Sequence, residues 1–486
     1  MEKFSWTLTA SIFLADLLIR IVLSLRVIMR KREASVTLAW LVVILLLPFL
    51  GAVIYLLLGE NRLGQKRAAH AADNVPLFKK WVTSLEHRIQ AEWNHVNPQC
   101  RPVEIQASRV FGLPTLPGNR LELIDNPAAF FRSLTADIDR ARKSCFLEFY
   151  IWEEGGLADD IAEAVLRAAA RGVTCRVLLD SIGSADFLKS GLAGKMKARG
   201  IEIVEALPAG IFRAVFVRID LRNHRKIAII DGETAYTGSQ NLVDPLDFKK
   251  NENVGKWIDT MVRVQGPVVE AMTATFFYDW FIESAVSLEE LDKIARIPRV
   301  EPAGDALVQL VPSGPGFEQG GIHDLLLTTI YAARSELIIT SPYFVPDNAI
   351  LAALKSASQR GVDVSIIVPE KNDSRLVDYA SRARYGELTR SGVKILKFRE
   401  GLLHSKTITV DNDFSLIGSV NLDMRSFWLN FELSLFVYNR EFTEKLRNVQ
   451  LRYIKQARRL DPDHFARRSF GERFMENTAL LLGPLL

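Results

Sequence analysis

The sequence predicts an α/β protein with two pseudo-symmetric domains, each with a mixed, largely parallel sheet, preceded by two transmembrane helices. Three observations predict this fold class. A motif occurs twice, the order of helices and strands around it repeats, and two apolar stretches lie near the amino terminus. Apolar strands that alternate with amphipathic helices are typical of α/β sheets. With 486 residues, the chain is long enough for more than one packed domain.

A short motif occurs at residues 224–241 and again at 404–421. In each copy a histidine is followed, at identical spacing, by Lys, Asp, Gly, Ser and Asn. The fixed residues are His224, Lys226, Asp231, Gly238, Ser239 and Asn241 in the first copy and His404, Lys406, Asp411, Gly418, Ser419 and Asn421 in the second. Such a match is not expected by chance, so the motif indicates an internal duplication.

Each motif predicts a strand hairpin with functional side chains at one end. The runs IAII and TITV after the histidines are typical of buried strands, in which side chains two positions apart share a face. His and Lys therefore point the same way. Turn residues follow at 231–232 and 411–412, and the Gly-Ser-x-Asn loop comes after the return strand. An imidazole, an ammonium, a hydroxyl and an amide together suit chemistry at a phosphoryl group.

A carboxylate lies 28 residues after each histidine, namely Glu252 in the first copy and Glu432 in the second. A carboxylate on the far ring nitrogen fixes the tautomer of an imidazole and stabilises its protonated form. We therefore expect each glutamate to orient the histidine of its own copy. For Asp231 and Asp411, a turn-stabilising or ion-pairing role and a catalytic role are both open.

The order of elements around the motifs repeats as well. Residues 129–204 and 325–398 each read as helix, strand, helix, strand, helix, strand before their motif. The motif histidines lie 180 residues apart, far more than the period of a solenoid, so two domains are predicted at 106–300 and 301–486. Displacement at phosphorus needs a nucleophile on one side and an acid on the other. We therefore expect two sheets whose motif edges meet in one pocket.

The amino-terminal region predicts a membrane anchor. Residues 36–58 carry no charge, and 23 positions suffice for a helix to cross a hydrocarbon core of about 30 Å. Residues 4–25 are nearly as apolar but include Asp16 and Arg20, which at this spacing predict either an ion pair or a role in handling lipid. Residues 1–60 are thus assigned to the anchor and 61–105 to a juxtamembrane connector. The flanking basic residues balance, so they do not define the side of the membrane.

Composition argues against several classes of protein. Lys and Arg number 61 against 57 Asp and Glu, so the chain is no polycation and no nucleic-acid partner is expected. The three cysteines have no paired spacing and the remaining histidines have no metal-type spacing, so neither a disulfide framework nor a metal site is predicted. The mixed aromatic and basic segment 207–220 is interpreted either as core or as an element that enters the bilayer interface. The apolar tail 479–486 is expected to pack onto the domain rather than rest at the bilayer.

The doubled His-x-Lys-x4-Asp motif resembles the signature of the phospholipase D superfamily, from about residue 106 to the end. Four further features are similar to bacterial cardiolipin synthases. They are the two amino-terminal spans, the segment LRNHRKIAIIDGETAYTGSQNLVDP, the segment GSVNLDMRSFWLNFELSL and the closing GPLL. With these segments the resemblance extends over essentially the whole chain.

This resemblance implies phosphatidyl transfer without a metal or other cofactor, in a multi-pass protein of the bacterial inner (plasma) membrane. Two phosphatidylglycerols would give cardiolipin and glycerol through a covalent phosphatidyl-histidine intermediate. The superfamily favours His224 as the nucleophile and His404 as the acid/base. Lys226, Lys406, Asn241 and Asn421 would hold the non-bridging oxygens, with Ser239 and Ser419 nearby and Glu252 and Glu432 as the orienting carboxylates. No motif residue excludes water, so a membrane-bound phospholipase D or phosphodiesterase is the alternative.

Overall fold

A computed structural model describes residues 2–30, 34–60, 67, 81–82, 85, 91–94, 96–208, 218, 220–284 and 297–481. The chain divides into two compact units. One comprises Met1–Ala68 with Ala209–Leu221, and the other Ala69–Pro208 with Arg222–Leu486. Both motifs lie in the second unit.

The amino-terminal unit is helical. Its described elements are the α-helices Glu2–Met29, Ala34–Leu46 and Leu50–Ile54 and the π-helix Tyr55–Gly59. The continuous helix predicted over 36–58 is therefore interrupted, since Pro48 cannot continue the helical hydrogen-bond ladder and Phe49 follows with φ 49°. None of the helices in the described ranges has the length and apolarity needed to span a membrane.

Asp16 and Arg20 form the predicted ion pair, at 2.6 Å. The carboxylate of Asp16 also accepts a hydrogen bond of 2.9 Å from the backbone N–H of Phe49, and Arg20 donates to the carbonyl of Leu45. Both backbone groups lie at the interruption around Pro48, where the helix no longer satisfies them. The pair therefore has a structural role, because it ties the first helix to the broken second one.

The second unit repeats one order of elements in its two halves. The strands of the first half are β1 Leu116–Ile124, β2 Ser144–Phe149, β3 Thr174–Asp180, β4 Glu202–Ala206, β5 Ile227–Ile230, β6 Thr234–Gly238, β7 Trp257–Ile258 and β8 Met261–Gln265. Those of the second half are β9 Ala306–Ser313, β10 Glu336–Thr340, β11 Phe344–Val345, β12 Asp363–Pro369, β13 Lys394–Phe398, β14 Leu402–Leu403, β15 Thr407–Val410, β16 Phe414–Gly418, β17 Leu422–Asp423, β18 Glu432–Tyr438 and β19 Ala457–Arg459.

Helices alternate with these strands as the sequence predicts. In the first half the α-helices are Arg101–Phe111, Pro127–Arg140, Leu157–Ala170, Ala185–Leu188, Gly191–Ala198 and Val268–Glu283. In the second half they are Gly321–Ala332, Asn348–Gln359, Arg375–Arg390, Met424–Trp428, Arg440–Lys455, Pro462–Ala466 and Phe470–Leu481. Short 3-10 helices occupy Pro98–Cys100 and Lys250–Glu252.

Fifteen of the described strands, from both halves, join in one sheet that is mixed as predicted, while β11 pairs with β17 and β14 with β7. The single sheet corrects the expectation of two separate sheets that are largely parallel. Its order is β19-β13-β12-β10-β15-β16-β18-β9-β1-β8-β6-β5-β2-β3-β4. The antiparallel pairing of β1 with β9 joins the halves. Among the strands of this sheet, parallel pairing is confined to β10, β12 and β13 and to β2, β3 and β4. The motif hairpins β5–β6 and β15–β16 return through short turns and run antiparallel, and β8 and β18 add antiparallel to β6 and β16.

The two halves also share an apolar core. One cluster of buried side chains draws on β5 and β8 of the first half, β16 and β18 of the second, and the helix Val268–Glu283. It includes Ile227, Val262, Met272, Ile417, Leu433 and Leu435. Because buried side chains in a close-packed core leave little room for movement, this shared cluster fixes the relative position of the halves. It thereby also fixes the position of the motifs.

Three sequence predictions fall largely outside the described residues. Segment 207–220 is described only at 207–208, 218 and 220, and the connector only at isolated positions before residue 96. The tail is described as far as Leu481, where Ala479 is buried and Leu481 is exposed.

Candidate active site

The motif hairpins form as the sequence predicts. β5 and β6 pair antiparallel around a turn in which Asp231 and Gly232 have φ 55° and 69°. β15 and β16 do the same around Asp411 and Asn412, with φ 51° and 58°. Each histidine precedes the first strand of its hairpin, so the turn and the imidazole lie at opposite ends of that strand.

Asp231 and Asp411 therefore lie at the far end of these strands from the histidines. The carboxylate of Asp231 accepts hydrogen bonds from the backbone N–H groups of residues 142–144, at 2.7–3.1 Å. That of Asp411 accepts from residues 334–336, each at 2.8 Å. Both carboxylates thus stabilise the chain entering β2 or β10, and the turn-stabilising role is the one that the geometry supports.

Each histidine is held by the opposite half of the unit. The backbone N–H of His224 donates to the carbonyl of Phe431 at 2.9 Å, and its Nδ1 lies 2.9 Å from Oε2 of Glu432. In the same way, the N–H of His404 donates to Ile258 at 2.8 Å, and its Nδ1 lies 2.7 Å from Oδ1 of Asp259. The second half therefore orients the first histidine, and the first half orients the second.

The crossed arrangement corrects two predictions. Glu432 does orient a histidine, but it is His224 rather than His404. Glu252 does not orient His224, because it lies in the 3-10 helix Lys250–Glu252 with a side chain that is 39% exposed, 3.9 Å from Lys249. Asp259, which takes the role expected of Glu252 but serves His404, was missed.

Strand register explains why Asp259 was missed. Gly238 pairs with Met261 in the first half, and Gly418 pairs with Ser434 in the second. The residues two positions before these partners are Asp259 and Glu432, so they are structurally equivalent. A longer loop after the first motif shifts Asp259 by seven positions relative to Glu432, and a comparison at fixed spacing therefore selects Glu252. An acidic residue within two positions of the start of the next strand was the available signal.

The motif serines hold the strands that carry these carboxylates. Oγ of Ser239 accepts a hydrogen bond of 3.0 Å from the N–H of Thr260, and Oγ of Ser419 accepts one of 2.9 Å from Leu433. Thr260 and Leu433 directly follow the orienting carboxylates. Both serines thus fix the start of the strand that carries the orienting carboxylate. This structural role accounts for the serines without any contact between their hydroxyls and a phosphoryl group.

The residue between His and Lys in each motif reaches the same strands. Arg225 is fully buried, donates from Nε to the carbonyl of Glu432 at 3.0 Å, and forms an ion pair with Asp279. Ser405, at the matching position, hydrogen-bonds the hydroxyl of Thr260, which follows Asp259. Both side chains therefore hold the strand of the opposite half that carries the orienting carboxylate. We call Arg225 and Ser405 the clasp residues.

The motif lysines and asparagines lie beside the histidines. Nζ of Lys226 donates to the carbonyl of His224 at 2.7 Å, and Nζ of Lys406 donates to that of His404 at 2.6 Å. An ammonium has three protons, so each can still donate to an anion. Oδ1 of Asn241 accepts from the N–H of Ile151, whereas Oδ1 of Asn421 is buried and accepts no hydrogen bond from the described residues.

Burial and charge set the protonation of the site. Burial, reinforced by the neighbouring ammonium groups, lowers the pKa of His224 and of His404 to about 4, against the opposing effect of their carboxylates. Burial also lowers the pKa of Lys226 to about 7 and that of Lys406 to about 8. Lys406 acts on His224 and Lys226 acts on His404, so the two motifs share one electrostatic environment.

The orienting carboxylates are ionised in this environment. Burial alone raises the pKa of Glu432, but His224 and Lys226 bring it below its usual value. The same holds for Asp259 beside His404 and Lys406. An ionised carboxylate beside Nδ1 accepts a hydrogen bond from the N–H there. The proton of each neutral imidazole therefore stays on Nδ1, and Nε2 carries the lone pair. The site can therefore supply a nitrogen nucleophile and a second imidazole for proton transfer.

Aromatic rings wall the two imidazoles. The ring of Tyr150 lies 5.1 Å from that of His224, and those of Trp257 and Tyr343 lie 4.7 and 6.4 Å from that of His404. Among the described residues, no group of three or more His, Cys, Asp or Glu is arranged to hold a metal ion.

Comparisons with known proteins agree with this architecture. A family model described as cardiolipin synthase, PLD-like domain, matches residues 134–280 and 326–452, and one described as phospholipase D-nuclease N-terminal matches 18–60. The chain is 44% identical over 465 residues to cardiolipin synthase A of Cronobacter sakazakii (strain ATCC BAA-894), and 42% identical over 463 residues to that of Edwardsiella ictaluri (strain 93-146). Each alignment covers 95% of both chains.

A solved structure shares the fold. The crystal structure of phosphatidylserine synthase from Haemophilus influenzae Rd KW20 matches with a TM-score of 0.57 at 14% identity, covering 79% of this chain and 100% of that one. At this identity the similarity concerns the fold alone.

Proposed function

We propose that this chain, which belongs to the cardiolipin synthase family of phospholipase D-like proteins, transfers a phosphatidyl group from one phosphatidylglycerol to another. The products would be cardiolipin and glycerol. The observation that carries this proposal is the crossed pair of imidazoles, each fixed at Nδ1 by a carboxylate of the other half. Two half-sites that support each other in this way suit a two-step displacement at a single phosphorus atom.

In the first step, Nε2 of His224 attacks the phosphodiester and forms a P–N bond. The P–O bond to glycerol breaks, and His404 donates a proton to the departing oxygen. Lys226 and Lys406 stabilise the charge on the non-bridging oxygens, together with Asn241 and Asn421. An anionic phosphodiester beside both rings raises the pKa of each imidazole, which allows His404 to be protonated when substrate is bound.

In the second step, the other glycerol-bearing lipid is the nucleophile. His404 removes a proton from its hydroxyl, the oxygen attacks phosphorus, and the P–N bond breaks. The electron pair of that bond returns to the imidazole of His224. Glu432 and Asp259 stay ionised throughout and stabilise each imidazolium as it forms.

We also assign the protein to the bacterial plasma membrane, with residues 1–60 as a multi-pass anchor, 61–105 as a connector and the two domains at 106–300 and 301–486. The apolar stretches 4–25 and 36–58 and the family match over 18–60 support this assignment. A lipid substrate is then available in the same bilayer that holds the enzyme.

The products distinguish transfer from hydrolysis. Purified protein incubated with phosphatidylglycerol labelled in its acyl chains should form labelled cardiolipin and release one glycerol per cardiolipin. Accumulation of phosphatidic acid without cardiolipin would contradict the proposal and identify a membrane-bound phospholipase D or phosphodiesterase that uses water.

A further inference from the structure

An ion pair joins the two halves beside His404. Nζ of Lys249, from the loop after the first motif, lies 2.9 Å from Oδ2 of Asp373 in the second half. The hydroxyl of Tyr343 donates to both oxygens of Asp373, at 2.9 and 3.1 Å. The three side chains form one polar cluster built from both halves.

This cluster is one ring away from the reacting imidazole. Nζ of Lys249 lies 5.8 Å from the centre of the Trp257 ring, which is itself 4.7 Å from the ring of His404. The ring of Tyr343 also lies near His404, with its centre 6.4 Å from the centre of the imidazole. The charge of Asp373 also contributes to the pKa of Lys406, so the cluster acts electrostatically on the motif.

The cation of this cluster is the part that a ligand can reach. The Asp373 side chain is 5% exposed and fixed by Tyr343, whereas that of Lys249 is 37% exposed. The backbone of Lys249 has φ 52°, a conformation that costs free energy for a residue with a side chain. Lys249 is therefore a partly exposed cation on the His404 side, one aromatic ring away from that imidazole.

Two alcohols meet His404 in the proposed reaction. Glycerol leaves in the first step, and the glycerol head of a second phosphatidylglycerol enters in the second. Both present a hydroxyl, but only the lipid carries a phosphodiester anion three carbons from that hydroxyl. A cation beside His404 and outside the reacting centre can therefore distinguish the anionic acceptor from glycerol and from water.

We propose that Lys249, positioned by Asp373 and Tyr343, binds the phosphate of the acceptor lipid and thereby selects an anionic lipid as the acceptor. This inference rests on the proposed phosphatidyl transfer and on His404 as its acid/base. Lys249 makes no bond change. The acceptor hydroxyl gives its proton to His404, its oxygen bonds to phosphorus, and the P–N bond to His224 breaks.

Two reactions of the same enzyme test the role of Lys249. Exchange of labelled glycerol into phosphatidylglycerol uses a neutral alcohol in both steps, whereas cardiolipin formation needs the second phosphate. Lys249→Met should lower the ratio of cardiolipin formation to glycerol exchange about tenfold or more, since it removes a charge-assisted contact from one reaction only. Lys249→Arg, which keeps the charge, should restore most of the ratio.

Lys250→Met is the matched control. Lys250 is the next residue, is 74% exposed and pairs with Asp247 in its own loop. This variant should leave both reactions unchanged. A water-soluble phosphate ester tests whether Lys249 recognises the phosphate rather than the lipid that carries it. Glycerol 3-phosphate should inhibit cardiolipin formation by the parent enzyme and by Lys250→Met more strongly than it inhibits the residual cardiolipin formation by Lys249→Met.

The outcomes separate this inference from the proposed function. A parallel fall of both reactions in Lys249→Met, or no change in their ratio, would overturn the role of Lys249 while transfer by the parent enzyme stands. If the parent enzyme forms no cardiolipin, the transfer reaction fails, and the acceptor role fails with it.

Discussion

The two half-sites have the same backbone frame but different side chains around it. In both, a histidine donates its N–H to the residue before the orienting carboxylate of the other half. Around His224 that carboxylate is Glu432, which also accepts from Ser426 at 2.9 Å and from Asn430 at 3.2 Å. Around His404 it is the shorter Asp259. The duplication therefore preserved the geometry of the imidazoles, while their support diverged.

The clasp residues show the same divergence. Arg225 fixes the strand of Glu432 with a buried, charged side chain, and Ser405 fixes the strand of Asp259 with a hydroxyl. A buried ion pair is costly to break because the remaining charge is left uncompensated, whereas a lost hydroxyl contact costs much less. The His224 half-site thus depends more strongly on its clasp than the His404 half-site does.

Removal of the orienting carboxylates should have the largest of the effects that test this comparison. Glu432→Gln and Asp259→Asn should each lower kcat about 10²- to 10⁴-fold, because the imidazole loses its fixed tautomer and its stabilised charge. Glu252→Gln is the control and should keep the parent kcat in glycerol exchange, since its carboxylate lies 3.9 Å from Lys249 and orients neither imidazole. If Glu252→Gln were as damaged as Asp259→Asn, the crossed arrangement would be wrong.

Removal of the clasps should separate the half-sites by stability. Arg225→Met should reduce the free energy of unfolding by about 3–5 kcal/mol, because Asp279 is left buried without its partner. Ser405→Ala should cost about 1 kcal/mol. Denaturant unfolding in detergent measures both values. Equal losses in the two variants would show that the half-sites are supported to the same extent.

The pH dependence should distinguish chemistry from unfolding. As pH rises through about 7 to 8, Lys226 and Lys406 lose the charge that binds the phosphoryl group, so kcat/KM should fall. Their lowered pKa values mean that the unfolded chain holds more protons than the folded one from there up to pH 10.5. Their contribution to the free energy of unfolding therefore rises with pH over that range. If the contribution of these lysines to the free energy of unfolding fell over the same pH range in which kcat/KM falls, this assignment would be contradicted.

Removal of the turn aspartates should have the smallest effect on catalysis. Asp231→Ala and Asp411→Ala should each reduce the free energy of unfolding by about 1–2 kcal/mol, because backbone N–H groups lose their acceptor. The kcat/KM of the folded enzyme should stay close to the parent value in both. A selective loss of kcat/KM without loss of stability would restore the catalytic role of these carboxylates.

The sequence alone predicted the hairpins and the order of elements that the structure shows, and it singled out the histidine and lysine side chains of the candidate site. These follow from local rules, namely strand alternation, turn residues and identical spacing. It could not give the crossed pairing, because contacts such as His404 with Asp259 depend on how the halves pack. The antiparallel joining of β1 to β9 is likewise decided by tertiary contacts, whereas Pro48 was a local signal of the break in the second helix.

The covalent adduct tests the central claim most directly. His404→Ala should be mixed with a phosphatidyl donor whose leaving group, p-nitrophenol, departs without a proton, and then quenched for peptide mass spectrometry. We predict a stoichiometric burst of p-nitrophenol with the phosphatidyl group on His224, and no burst in His224→Ala. A burst in His224→Ala, or an adduct on any residue other than His224, would contradict the assignment of the two half-sites.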